Sequence, residues 1–135
     1  MSKGKRNTEL VQKLYERLQA LDLAAVEAQL DASFVLRATD ALPYGGRREG
    51  RSAFADSMQG FLECWESPRF DVRGFTCNDE SLVVAHIELS ALSKAGVAYS
   101  TPVIECWTLV DDRVTALDVY YLNPAAALRA IRGGT

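Results

Sequence analysis

The chain has 135 residues, 48% of them hydrophobic and 24% charged, with a net charge of −3. That suits one domain spanning residues 1–135 with a self-sufficient core, shows no disorder bias, and scatters its basic residues too widely for a nucleic-acid track. No apolar run approaches the ~20 residues of a membrane helix, and no signal-peptide pattern opens the chain.

Residues 1–6, MSKGKR, form the one basic cluster and read as a frayed, solubilising terminus. From Thr8 to Leu21, Leu10, Val11, Leu14, Tyr15, Leu18 and Leu21 recur at helical spacing, with Asn7 or Thr8 as cap. Asp22 starts a shorter helix, LAAVEAQL, and from Ser33 FVLRAT reads as a strand ending at Asp40. Leu42 to Gly50, LPYGGRREG, is loop chemistry. Ser52 caps a third helix, AFADSMQGFLECW, with Phe54, Met58, Phe61, Leu62 and Trp65 as its buried stripe and Pro68 as its stop. A strand FDVRGFTC, the turn Asn78-Asp79-Glu80 and a long hairpin from Ser81 to Val110 follow.

That hairpin carries the single histidine. With Ala95-Gly96 as a two-residue turn, His86 stands opposite Glu105. One face then gathers His86, Glu88, Tyr99, Val103, Glu105 and Trp107, a mixed surface suited to a pocket. The other gathers Ile87, Leu89, Ile104 and Cys106, an apolar surface that a second copy of the chain would cover, with Tyr120 beside it. In the last strand, VTALDVYYL, a two-residue turn would align Asp118 with Glu105, whereas a three-residue loop with a bulge would align Val119 with it. The second is favoured because it sets Leu117, Val119 and Tyr121 against Trp107. Asn123 caps a last helix, PAAALRAI, with proline at its first position. Cys64, Cys77 and Cys106, an odd set without CxxC, read as buried thiols in a reducing cytoplasm.

The order is α+β: three helices interleaved with strands, then a curved antiparallel sheet wrapped around them, and a short C-terminal helix. His86 and Glu105 are the sharpest candidates, as general base and orienting group, with Asp40 a reserve base at a strand end. The bland alternative is a satisfied ion pair and a turn-capping aspartate. Tyr15, Glu88, Tyr99, Val103, Trp107, Leu117, Val119 and Tyr121 are the candidate pocket lining, although aromatics on apolar stripes are more often core. No residue cluster suggests a metal or cofactor.

The stretches DLAAVEAQL from Asp22, LPYGGRREGRSAF from Leu42, ECWTLVDDRV from Glu105 and YYLNPAAALRAI from Tyr120 resemble the nuclear transport factor 2-like superfamily, and within it the SnoaL-like proteins related to polyketide cyclases and ketosteroid isomerase. The resemblance spans nearly the whole chain and implies a cone, open at one end and usually dimerised through the sheet. It also implies site positions. The isomerase base falls on Ala38, its first-helix tyrosine on Leu14 beside Tyr15, its second oxyanion group on Glu105, and the cyclase acid on Val119, so neither catalytic set is intact. The expectation is a cofactor-independent acid–base enzyme (isomerase, cyclase, dehydratase or hydrolase) acting on an apolar or carbonyl-bearing metabolite. The rival is a non-catalytic ligand-binding or protein-interaction module.

Overall fold

The computed structural model describes residues 2–134. Its elements are α1 (Lys3–Gln19), α2 (Leu23–Gln29), β1 (Leu30–Ala38), β2 (Gly46–Glu49), α3 (Ala53–Cys64), β3 (Trp65–Cys77), β4 (Leu82–Ser93), β5 (Ala98–Val110), β6 (Arg113–Tyr121) and α4 (Pro124–Ile131). The strands form one sheet in the order β2-β1-β6-β5-β4-β3. The sheet is mixed rather than wholly antiparallel, because β1 runs parallel to β6. Such a pairing needs a long crossover, here most of the chain, and no local sequence signal announces it.

Three expectations about local structure change. The stretch 2–7, which takes in most of the basic cluster, is built into the fold, Met1 lying outside the described residues: Ser2 caps α1 by accepting from Lys5 N, Gly4 N donates to Asp79 Oδ1 at 2.8 Å, and buried Asn7 donates to Glu80 O at 3.1 Å. A Cβ on Gly4 would lie 2.6 Å from Asp79 Oδ1 and 2.7 Å from Cys77 Sγ, so only glycine lets the helix start dock on the β3–β4 turn. Within the expected loop at residues 42–50, Gly46–Glu49 pairs with β1 as an edge strand. Finally, α3 passes into β3 without a loop, and Pro68 lies inside the strand at a register irregularity, with Ser67 at φ 48°.

The decisive difference is the β4–β5 register. Ser93 N donates to Val97 O and Gly96 N to Ser93 O, which makes Lys94-Ala95-Gly96 a three-residue loop with Gly96 at φ 88°. Glycine takes the left-handed position at the end of this loop, where a two-residue turn would have used it differently. The pairing shifts by one residue, to Ala85 with Glu105 and His86 with Ile104. A slip of one sends every side chain to the other face relative to its partner strand.

Val83, Ala85, Ile87 and Leu89 therefore point inward with Val103, Trp107 and Leu109, and all seven are at most 3% exposed. This inner face packs on Val11 and Leu14 of α1, Val26 of α2 and Phe54 and Phe61 of α3 in one continuous core. Side chains of this size stabilise by roughly 1.5–3 kcal/mol each when fully buried. Ile87 and Leu89, expected on the outer face, are core residues. The outer face carries Val84, His86, Glu88, Ile104, Cys106 and Tyr120 instead.

At the other hairpin, Val119 does align with Glu105, by a different route. Asp111 and Asp112, both at positive φ, make a two-residue turn, and the extra residue enters as a bulge at Thr115 within β6.

Candidate functional site

The inner face leaves two chambers between sheet and helices. The larger, about 410 Å³, is bordered by Tyr15 and Leu18 of α1, Phe54 and Met58 of α3, Phe70 of β3 and Glu105 of β5. Leu21, Leu62, Arg69 and Asp71 stand toward its mouth. The smaller, about 70 Å³, is bordered by Ala38, Tyr44, Val103, Leu117, Val119 and Tyr121. Phe54, Met58, Phe70 and Glu105 border both, so they form the partition.

Glu105 is the carboxylate at this partition. Tyr15, brought by α1, donates its hydroxyl to Glu105 Oε1 at 2.7 Å, and Trp107 Nε1 donates to the Tyr15 oxygen at 2.8 Å. The Trp107 and Tyr15 rings meet edge-on with centroids 5.7 Å apart, so packing fixes the hydroxyl that holds the carboxylate. Burial pushes the Glu105 carboxyl above the usual carboxylate range, and the Tyr15 hydrogen bond offsets part of that. Burial, then the nearby Glu105 charge, raise the Tyr15 phenol well above its ordinary value. Among the described residues, Glu105 Oε2 has no hydrogen-bond partner and is free to meet a ligand.

A second chain lies beyond the partition. Trp65 Nε1 donates to Tyr44 Oη at 3.2 Å, and Tyr44 Oη lies 2.8 Å from Tyr121 Oη. Burial raises the Tyr44 phenol to about 12 and raises Tyr121 as well.

His86 and Glu105, expected as a pair, are on opposite faces: His86 is exposed on the outer face. Glu88 is also outer, accepting from Ser100 Oγ at 2.8 Å. Asp40 is exposed after β1 and borders neither chamber. Tyr99 is buried structure, stacked on Trp65 at 5.3 Å and donating to Asn123 O at 2.6 Å. Trp107 is fully buried and supports Tyr15 from behind instead of forming the wall. Tyr15 and Glu105 border the larger chamber, and Val103, Leu117, Val119 and Tyr121 the smaller.

Sequence reasoning missed Phe70, Arg69 and Asp71 on β3, and treated Phe54 and Met58 as core alone. The α3 stripe was visible, but its partial exposure to a hollow was not. Cys77 is exposed and Cys64 and Cys106 are half-buried, contrary to the expectation of buried thiols; all three are free. Among the described residues no three His, Cys, Asp or Glu side chains cluster as metal ligands, and no helix is long and apolar enough to cross a membrane.

Residues 11–117 match the family of SnoaL-like domains. A comparison with curated proteins finds no match. Solved structures match over nearly the full chain. A nuclear transport factor 2-like protein of unknown function from Burkholderia pseudomallei is 19% identical with a TM-score of 0.85, covering 97% of this chain and 98% of that one. A polyketide cyclase candidate from Xanthomonas campestris pv. campestris is 26% identical with a TM-score of 0.77, covering 96% and 99%. TerC, co-crystallised with polyporic acid, is 16% identical with a TM-score of 0.83, covering 93% and 98%. These likenesses fit the α+β, cone-like architecture.

Proposed function

Because the chain belongs to the SnoaL-like domain family, we propose that it binds a largely apolar, carbonyl- or hydroxyl-bearing metabolite in the larger chamber and performs cofactor-independent acid–base chemistry on it. The observation that carries this is Glu105: a carboxyl in an apolar hollow, held through one oxygen by Tyr15, with the other oxygen free. A partly desolvated carboxylate is a stronger base than one in water, and a proton it removes from the carbon beside a carbonyl can be returned to the same or a neighbouring carbon. Tyr15 sets the carboxylate's orientation, and Trp107 sets Tyr15's. Isomerisation, cyclisation and dehydration all begin with this step. A ligand entering between Leu21 and Leu62 would meet apolar walls first and Glu105 at depth.

The test is deuterium exchange at the α-carbons of 2-tetralone, a bicyclic ketone small enough for the chamber, followed by NMR. The wild-type protein is expected to accelerate exchange and Glu105→Gln to lose about 10²-fold or more of that acceleration. Equal rates in the two proteins would refute the catalytic role.

One observation favours a non-catalytic binding module: among the described residues no second carboxyl, imidazole or amine lies at the depth of Glu105, since Arg69 and Asp71 are exposed near the mouth. Binding of 2-tetralone without exchange would establish that reading. The free thiols fit a reducing cytoplasm. A second copy of the chain remains our proposal for the outer sheet face, now with Ile104, Cys106 and Tyr120 as its contacts.

A further inference from the structure

Two hydrogen-bonded chains are each headed by a buried tryptophan N–H: Trp107 to Tyr15 to Glu105, which ends at the partition, and Trp65 to Tyr44 to Tyr121, which borders the smaller chamber. The first uses its last proton on a carboxylate oxygen. The second has no such end. An indole N–H can only donate, so the Tyr44 oxygen accepts from Trp65. The two tyrosines then hold two hydroxyl protons, and the one contact between them, at 2.8 Å, uses one.

The other proton is left over. Both tyrosines border the smaller chamber, but the Tyr44 oxygen already meets Trp65 and Tyr121, and Tyr44 is 5% exposed and packed edge-on against Phe61 at 5.2 Å, whereas the half-buried Tyr121 hydroxyl meets Tyr44. A buried hydroxyl proton without an acceptor is unfavourable, so Tyr44 donates to Tyr121 and the spare proton belongs to Tyr121. It is available to an acceptor inside the chamber that Glu105 borders from the other side.

The size of that chamber limits the acceptor. About 70 Å³ holds roughly two waters or one oxygen substituent, and a benzene ring needs about twice the volume. Phe54, Met58, Phe70 and Glu105 border both chambers, so a ligand oxygen held at Glu105 has the smaller chamber as its neighbour, and a second oxygen close to the first is the substituent that could enter it.

We propose that the smaller chamber is an oxygen subsite, in which the Tyr121 hydroxyl donates to the second oxygen of a vicinally dioxygenated ring whose first oxygen meets Glu105. This rests on the larger chamber being the ligand site. It assigns the substrate class as catechol-like or α-hydroxyketone-like rings, with a water in the subsite when the ligand carries a single oxygen.

The test is calorimetric titration with 2,3-dihydroxynaphthalene and 2-naphthol. The wild-type protein is expected to favour the diol about 10-fold, as one added hydrogen bond in a sheltered site would give. In Tyr121→Phe that ratio is expected to fall to near one. Val119→Leu fills the subsite and leaves every hydrogen-bonding group in place, and the ratio is expected to fall there too. A wild-type ratio near one, failure of both compounds to bind, or a preference that persists in either variant would overturn the subsite. The exchange experiment with 2-tetralone uses a single oxygen, so its failure would bear on Glu105 as a base and leave this ratio to be judged by itself.

Discussion

The two faces of the β4–β5 ribbon carry chemistry of similar composition in different surroundings. Glu105 looks inward, toward apolar walls, Tyr15 and a free volume. His86 and Glu88, on the neighbouring strand, look outward, and Glu88 is met by a serine. Burial among apolar groups raises the proton affinity of Glu105 and sets it against a free volume, while Glu88 on the outer face is engaged by its neighbour Ser100. What separates the two is the face each strand presents, which a single loop residue decides.

The contrast is sharpest for lysine substitution. Ile87→Lys places an ammonium group in the core and is expected to destabilise by more than about 4 kcal/mol, leaving little folded protein in a circular dichroism melt. Ile104→Lys, on the outer face, is expected to change stability by no more than about 1 kcal/mol and to convert any dimer to monomers in light scattering. Two variants that unfold alike would mean that the faces are misassigned. A wild-type chain that runs as a monomer would remove the outer-face contact.

Glu105→Gln tests the inward surroundings. The folded protein holds the Glu105 proton more tightly than the unfolded chain does, so wild-type stability is favoured below the unfolded carboxyl value of about 4.5 and declines as pH rises through the higher folded value. Glutamine removes that dependence. The variant is expected to melt above the wild type at pH 7–8, with the difference closing toward pH 4. A variant that melts lower at neutral pH would show that the Tyr15 hydrogen bond outweighs the desolvation. The smallest effect belongs to His86→Ala, expected to shift stability by less than about 0.5 kcal/mol and 2-tetralone exchange by less than about two-fold. A large loss of exchange would return His86 to the mechanism.

Apart from the edge strand β2, the first turn of α1 and the junction of α3 with β3, the elements were legible. The α1 stripe, the α3 stripe, the proline at the start of α4 and the Asn123 cap, which accepts from Ala126 N at 3.1 Å, follow from local periodicity and capping. The site was legible one residue at a time. Glu105 and Tyr15 stood out as polar groups on apolar elements, but their 2.7 Å contact joins positions 90 apart in the chain. Register was the weak link, because Lys94-Ala95-Gly96 can close as two residues or three and both choices leave apolar side chains on a face. Docking of the basic amino terminus depends on Asp79 and Cys77, too distant in sequence for any local pattern to reveal.

The bulge at Thr115 has an evolutionary reading. β6 alternates apolar and polar side chains, so that one extra residue decides whether Val119 or Asp118 lies beside Glu105. Drawing Thr115 into the regular ladder would slide the rest of β6 by one residue and carry the Asp118 carboxylate from its Arg37 partner to the place opposite Glu105, with no change to either residue, whereas deleting Thr115 would leave both where they are. Descendants of such a scaffold could thus acquire or shed an acidic wall by flattening or restoring one bend in a strand.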